Sequence, residues 1–274
     1  MGVSVGAVSE AEAVAALEHN LWDMWSAFGR GEGCTLIDTP ELMRFETPLP
    51  YVPYNSVMRC RLTGDVDAVI DETLQAYQRR EVPLMWVVHP TAQPSNLTDR
   101  LASRGLVEAE VCPGMVAAMS DIARPGRAPD EVVVEQLGVG TRGEFFELVA
   151  WRYSLPAEDS ARTLLSIMAE RGFGEPGCPT EAWVARINGT VVSKVILHTT
   201  GSVAGIYGVA TRTEARGLGL AKHLTEVAVD RAREYGVHLL VLHSTPPAQS
   251  LYEGVGFRSV ADFRLWSTPD TLHL

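Results

Sequence analysis

The sequence predicts an α/β (α+β) protein made of two similar halves. Three observations carry that expectation. At 274 residues the chain holds about two domains of ~150 residues. Short apolar runs alternate with amphipathic helical stretches along its whole length. The halves also rhyme. LMWVVHP (84–90), NLTDRLASRGL (96–106) and an extended segment are matched by LLVLHSTPP (239–247), AQSLYEGVGF (248–257) and another extended segment. Each set is a buried strand ending in His, a proline-containing loop, a short helix stopped by Gly and an apolar residue, then a strand. Four elements in one order indicate an internal repeat.

In chain order, Ser9 and Glu12 have capping-box spacing, and Val14, Leu17, Leu21 and Trp25 follow on one helical face. Gly29, Gly31 and Gly33 end that helix. Residues 34–37, 42–45 and 56–62 read as strands, 65–77 as a helix and 84–88 as a buried strand. A short helix over 96–104 closes at Gly105, and 107–119 is extended. DIARPGRAPD (121–130) has two prolines and no apolar period, so it reads as a linker. The expected domains are therefore 1–122 and 131–274, joined by 123–130.

The second half opens with a strand at 131–137. Thr141 and Glu144 then suggest another capping box, opening a helix that ends before a loop holding Trp151, Arg152 and Tyr153. A helix spans 157–171. Asn188-Gly189 between two apolar runs predicts a hairpin, because both turn residues must accept positive φ. Further expectations are a strand at 203–211, a long helix over 217–235, a strand at 238–242, a short helix at 248–255 and a last strand at 259–266.

Composition excludes several classes. The chain is 46% hydrophobic and 21% charged, ordinary for a folded protein. With 34 acidic and 23 basic residues the net charge is −11, a poor match to duplex DNA or an anionic membrane. No apolar run approaches ~18 residues, and no basic start with an apolar run suggests a secretory signal. Four scattered cysteines form no CxxC, which fits reduced thiols and a cytoplasmic protein. The seven histidines do not cluster with carboxylates at ligand spacing, so no metal is expected.

The chemistry-bearing stretch is 203–257. Arg216-Gly217-Leu218-Gly219-Leu220-Ala221 lies between a strand and a long helix. Glycines there let the backbone approach an anion, and free N–H groups of the first helical turn bind phosphate. The motif alone is of low specificity. It is not a P-loop, because Leu220-Ala221 stands where Lys and Ser/Thr are needed. Nor is it a dinucleotide loop, because Lys222 occupies the third glycine's place. No Gly-x-Ser-x-Gly is present, which argues against a serine hydrolase.

The order NG hairpin, strand, VATRTEARGLGLA (209–221), long helix, strand, AQSLYEGVGF (248–257) resembles the GNAT superfamily of acyl-CoA N-acyltransferases. The resemblance covers about 131–266. It implies two GNAT-like domains, each a mixed, mostly antiparallel central sheet flanked by helices. Thr63-Gly64 stands where the first half would need its phosphate loop, so that copy is degenerate and not expected to bind CoA. By resemblance, Val209, Ala210 and Thr211 lie on the strand that pairs with the pantetheine arm. Arg216 to Ala221 hold the pyrophosphate, and Thr245 stands where the family often has Asn. Tyr252 matches the tyrosine that protonates the departing thiolate. Acetyl-CoA or another acyl-CoA is the implied co-substrate, a small-molecule amine the acceptor, and a monomer or homodimer the assembly. Trp151, Tyr153 and Tyr207 are candidates for the acceptor pocket. Many members carry a Glu on the strand corresponding to 203–211, and this chain has none there. Candidate bases are His243, favoured as a strand-end residue, then His198, Tyr207 and Glu214, with water alone as an alternative. A non-catalytic acyl-CoA binder or scaffold is the competing class. Residues 1–125 carry 17 acids and 9 bases, and residues 126–274 carry 17 and 14. The half expected to bind phosphates is thus the less acidic one.

Overall fold

The structure is a computed structural model that describes residues 8–124, 126, 129, 131–152, 154 and 156–269. Helix α1 (Glu10–Ser26) starts at the predicted capping box, in which the Ser9 hydroxyl accepts from the Glu12 N–H and the Glu12 carboxylate accepts from the Ser9 N–H. Strands β1 (Thr35–Asp38), β2 (Leu42–Glu46) and β3 (Ser56–Cys60) follow. Then come α2 (Val66–Arg79), β4 (Met85–Val88), α3 (Leu97–Ala102) and β5 (Val107–Ala118). The second half contains β6 (Val132–Gln136), α4 (Arg142–Arg152), α5 (Ala157–Ala169), β7 (Thr180–Ile187), β8 (Thr190–Thr200) and β9 (Val203–Thr211). It closes with α6 (Leu220–Glu234), β10 (Leu239–His243), α7 (Gln249–Glu253) and β11 (Arg258–Ser267).

The Asn188-Gly189 hairpin forms as predicted, with φ of 50° and 80° at its two residues. The second capping box does not form. The Thr141 hydroxyl accepts from the Gly138 N–H, and Glu144 pairs with Arg186 across the β6–β7 edge. A guanidinium outcompetes an exposed backbone amide for that carboxylate. Helix α4 also runs two residues further than expected, so Trp151 and Arg152 lie in its last turn rather than in a loop.

The eleven strands among the described residues join one mixed sheet in the order β1-β2-β3-β4-β11-β5-β10-β9-β8-β7-β6. The two halves exchange their last strands. β5 from the first half pairs antiparallel with β10, and β11 from the second half pairs antiparallel with β4. β5 and β11 also pair with each other along nearly their whole length. Alternation along the strands separates two faces. On β7, for example, Val184 joins one core while Trp183 and Ala185 join the other. One face is covered by α1, α4 and α5 over Leu17, Phe45, Phe145 and Tyr207. The opposite face is covered in the second half by α6 and α7 over Leu224, Leu240 and Tyr252. In the first half, α2 and α3 cover Trp86 and Leu101. Each such large apolar side chain, once buried, stabilises the fold by about 1.5–3 kcal/mol.

Helix α1 crosses the junction of the halves. Its Glu18 and Trp22 face the first half, where the Trp22 indole N–H donates to the Met58 carbonyl. Its Asn20 and Asp23 reach the second half, where the Asn20 amide donates to the His198 carbonyl and Asp23 accepts from the Thr200 hydroxyl.

Candidate active site

The site begins where the sheet divides. β9 and β10 pair in parallel from Val203/Leu239 only as far as Ile206/Leu242. Beyond that, β9 stays with β8 while β10 stays with β5 as far as His243/Gly114. Among the described residues, the segment Tyr207–Thr211 therefore has no paired strand on its β10 side. Register on its other side breaks as well. Lys194 faces Ala210 and Ile196 faces Tyr207, which leaves Gly208 and Val209 opposite Val195 alone. Gly208 has φ of +57°, a conformation that side chains disfavour. This bulge turns the backbone of Val209 out of the regular ladder at the point where the strands part.

The loop from β9 to α6 is the second component. Gly217 and Gly219 have φ of +79° and +75°, and a Cβ on either would meet nothing within 4 Å. Among the described residues, no group accepts a hydrogen bond from the N–H groups of Gly217 to Lys222. A helix start always leaves such donors, and here the left-handed glycines leave open space before them. Arg216 and Leu218 are exposed, and Leu220 is buried and anchors the helix to the sheet. The predicted phosphate loop thus has free donors, room and an adjacent arginine.

Tyr252 lies on α7, next to Phe257 and mostly buried. Burial pushes its phenol up to about 12, so it is protonated near neutral pH. Thr245 is exposed, and its carbonyl accepts from Ala248 as the chain turns into α7.

On the opposite face, His243 ends β10 with its ring edge-on to Phe263 at 4.2 Å. Both ring nitrogens are buried and hydrogen-bonded to nothing. Burial pushes the ring down to about 3, with Glu18 opposing the shift. The corresponding histidine of the first half behaves differently. β3 and β4 pair only at Ser56/Met85 and Val57/Trp86. There His89 Nε2 accepts from the Cys60 N–H at 3.1 Å, and Nδ1 binds Glu18 at 2.8 Å. The first half therefore closes its strand gap with a side chain, and the second half leaves its gap free. Burial would raise Glu18, yet hydrogen bonds from His89 and Thr91 hold it below the usual carboxylate range.

Tyr207 is buried, and its hydroxyl donates to Asn20 Oδ1 at 2.7 Å. Burial raises this phenol well above its usual value, with the Asp23 charge adding to the effect. His198 bonds the Thr180 hydroxyl through Nδ1 at 2.8 Å and Asp23 through Nε2 at 3.1 Å, so both its nitrogens are used within the fold. Glu214 is exposed in the short turn before the phosphate loop. Trp151 is half-buried, with the Arg212 guanidinium 5.2 Å above its ring. Tyr153 lies outside the described residues.

Sequence reasoning missed Lys194, Asn20 and Gly205. Lys194 is one of only two lysines in the chain and sits in an otherwise apolar strand, an anomaly legible in the sequence. Nothing local could announce Asn20 against Gly205. A Cβ on Gly205 would fall 1.9 Å from Asn20 Oδ1, across 185 positions of sequence. Among the described residues, no three His, Cys, Asp or Glu side chains are grouped to hold a metal, and no helix is long and apolar enough to cross a membrane.

Residues 144–257 match the model of the acetyltransferase (GNAT) family. This segment is similar to a GNAT domain. Members of the family use acetyl-CoA as co-substrate. The match runs from within α4 to just past α7, and so includes both the parting of β9 from β10 and the glycine loop. Solved structures share the fold over nearly the whole chain. A GCN5-related N-acetyltransferase from Kribbella flavida is 17% identical, with 91% of this chain and 95% of that one covered at a TM-score of 0.65. A tandem GNAT protein from the clavulanic acid biosynthesis pathway is 14% identical, with 96% of both chains covered at a TM-score of 0.63. A GCN5-related N-acetyltransferase from Sphaerobacter thermophilus is 15% identical, with 95% and 93% covered at a TM-score of 0.61. No curated protein matches the sequence. The arrangement outside residues 144–257 is also shared with these structures.

Proposed function

We propose that this protein transfers an acetyl group from acetyl-CoA to a primary amine of a small molecule, using the GNAT domain alone. The observation that carries this reading is the conjunction of a strand gap at Tyr207–Thr211 with a glycine loop whose amides from Gly217 to Lys222 are free. The gap accommodates the pantetheine arm against Val209, Ala210 and Thr211. The loop residues Arg216 to Ala221 bind the pyrophosphate, and Thr245 lies at the turn beyond the gap. In the first half, the His89–Cys60 hydrogen bond fills the equivalent gap, which supports a single CoA site per chain. We assign 1–122 to the degenerate copy, 123–130 to the linker and 131–274 to the catalytic copy.

In the reaction, the neutral amine attacks the thioester carbonyl. The C–N bond forms as the carbonyl electron pair moves to oxygen, where the Val209 N–H stabilises it. Collapse expels the CoA thiolate, which takes a proton from Tyr252. A phenol near 12 is a weak acid beside a free thiol of ~8.5, but desolvation raises the thiol too and narrows the gap. The amine's proton leaves by way of His243. Held near 3, this imidazole is neutral with a free lone pair, so it accepts an N–H hydrogen bond and passes the proton to water rather than storing it. The acceptor approaches from the α1/α4 face, where Tyr207 and Trp151 lie, with Tyr153 following in the chain.

Purified protein is tested by calorimetry with acetyl-CoA and by thiol release with a panel of amines. Binding and turnover support the reading. Binding without turnover on any amine favours a non-catalytic acyl-CoA binder, a class consistent with the weak basicity of His243 and the absence of a carboxylate on β9. No binding refutes both.

A further inference from the structure

Lys194 has no part in the mechanism above, yet it is nearly completely buried, on a strand of the catalytic sheet. Burying an ammonium or amine is costly unless a specific bond compensates. Its Nζ donates to one acceptor, the Gly208 carbonyl, and lies 4.7 Å over the Phe145 ring. A Cβ on Gly208 would come within 3.0 Å of Nζ, so the glycine makes room for the amine as well as for the left-handed turn. Gly208 is the first residue of the bulge opposite Val195, and its carbonyl belongs to the same peptide unit as the Val209 N–H. A trans peptide is planar, so its C=O and N–H point in opposite directions. Fixing the oxygen on Lys194 therefore fixes the Val209 N–H away from Lys194 and Phe145. A donor on the carbonyl oxygen also polarises the peptide and strengthens the N–H as a donor in turn.

We infer that Lys194 is a positioning residue that clamps and polarises the Gly208–Val209 peptide, so that the Val209 N–H is a pre-oriented donor to the thioester oxygen. This rests on the acyl-transfer reading proposed above. Burial, with a smaller contribution from the Arg152 charge, brings Lys194 down to about 7. Burial thus favours the neutral amine more than is usual for a lysine, and both the amine and the ammonium donate an N–H to the carbonyl, so the clamp holds in either form.

The test is Lys194→Met, which keeps an apolar stem as far as the ε position and removes the donor. Removing one oxyanion donor outright costs ~10²–10³ in kcat, so loosening one is expected to lower kcat by roughly 10- to 100-fold. The Kd for CoA, which has no acyl oxygen, should stay within about 3-fold. The infrared carbonyl band of bound acetyl-CoA labelled with ¹³C at the thioester should lie closer to its free position in the variant than in wild type. Lys194→Leu, which also lacks a donor, is read in the same way if the Met variant does not fold. Unchanged kcat and an unchanged carbonyl band in a folded variant overturn the clamp and leave the acyl-transfer reading intact. Failure of wild-type protein to bind acetyl-CoA overturns that reading and the clamp with it.

Discussion

A carboxylate introduced at Gly219 is the most direct challenge to the phosphate-loop assignment. Gly219 caps α6 in the left-handed conformation, with open space beyond its Cα. Two costs of Gly219→Glu can be separated. The φ of +75° disfavours any side chain by about 1–2 kcal/mol, and that cost falls on the stability of the loop. The charge adds a cost only when a phosphate is present. At ~6 Å and an effective dielectric of ~20, one carboxylate against one phosphate charge is worth about 3 kcal/mol. That is roughly 100-fold in Kd. Gly219→Ala carries the conformational cost without the charge and is the control. Calorimetric titration with CoA should give a Kd about 100-fold weaker for the Glu variant than for the Ala variant. The difference should shrink with added salt, because the loop is exposed. If both variants bind CoA within 3-fold of each other at low salt, the pyrophosphate does not lie on this loop.

Tyr252→Phe should lower kcat by about 10²-fold and leave the CoA Kd nearly unchanged, as checked by thiol release and calorimetry. His198 and Thr200 hold Asp23 down to about 2, below its unfolded value near 4, so the stability it adds is present above about pH 4 and is lost as pH falls toward 2. Because Asp23 is partly exposed, that contribution is discounted to about 1 kcal/mol; urea unfolding of wild type and Asp23→Asn at pH 5 and pH 2.5 should converge by that amount. Gly205→Ala should destabilise by about 3 kcal/mol or more, since the new methyl would strike both Asn20 and the Tyr207 ring; a thermal melt within 2 °C of wild type would refute that packing.

Much of the local geometry of the candidate site was legible because its determinants lie close together in the sequence. Asn188-Gly189 states a turn in two residues, and Gly217 with Gly219 states a left-handed helix entry in three. The Ser9–Glu12 box needed no partner outside its own turn. The same grammar misled at Thr141 and Glu144, where Arg186, 42 positions from Glu144, offered the carboxylate a better partner. The extended stretches 107–119 and 259–266 were recognised as strands and as repeats of each other. Their pairing was not legible, since alternation specifies which side of a strand is buried but not which neighbour it meets. The insertion of α1 between the halves was hidden for the same reason. Asn20, Asp23 and Glu18 read as ordinary polar positions on an amphipathic helix until their partners came from opposite ends of the chain.

The exchange of β5 and β11 has a consequence for how the molecule is made. During synthesis the first half emerges with β4 lacking the neighbour it will have in the finished sheet, because that neighbour, β11, follows β10 in the chain. β10, in turn, can be completed only against a strand synthesised more than 120 residues earlier. In the finished sheet, each half is therefore completed only by a strand of the other. Deleting the first half would strip β5, an interior strand, from the sheet that carries the glycine loop.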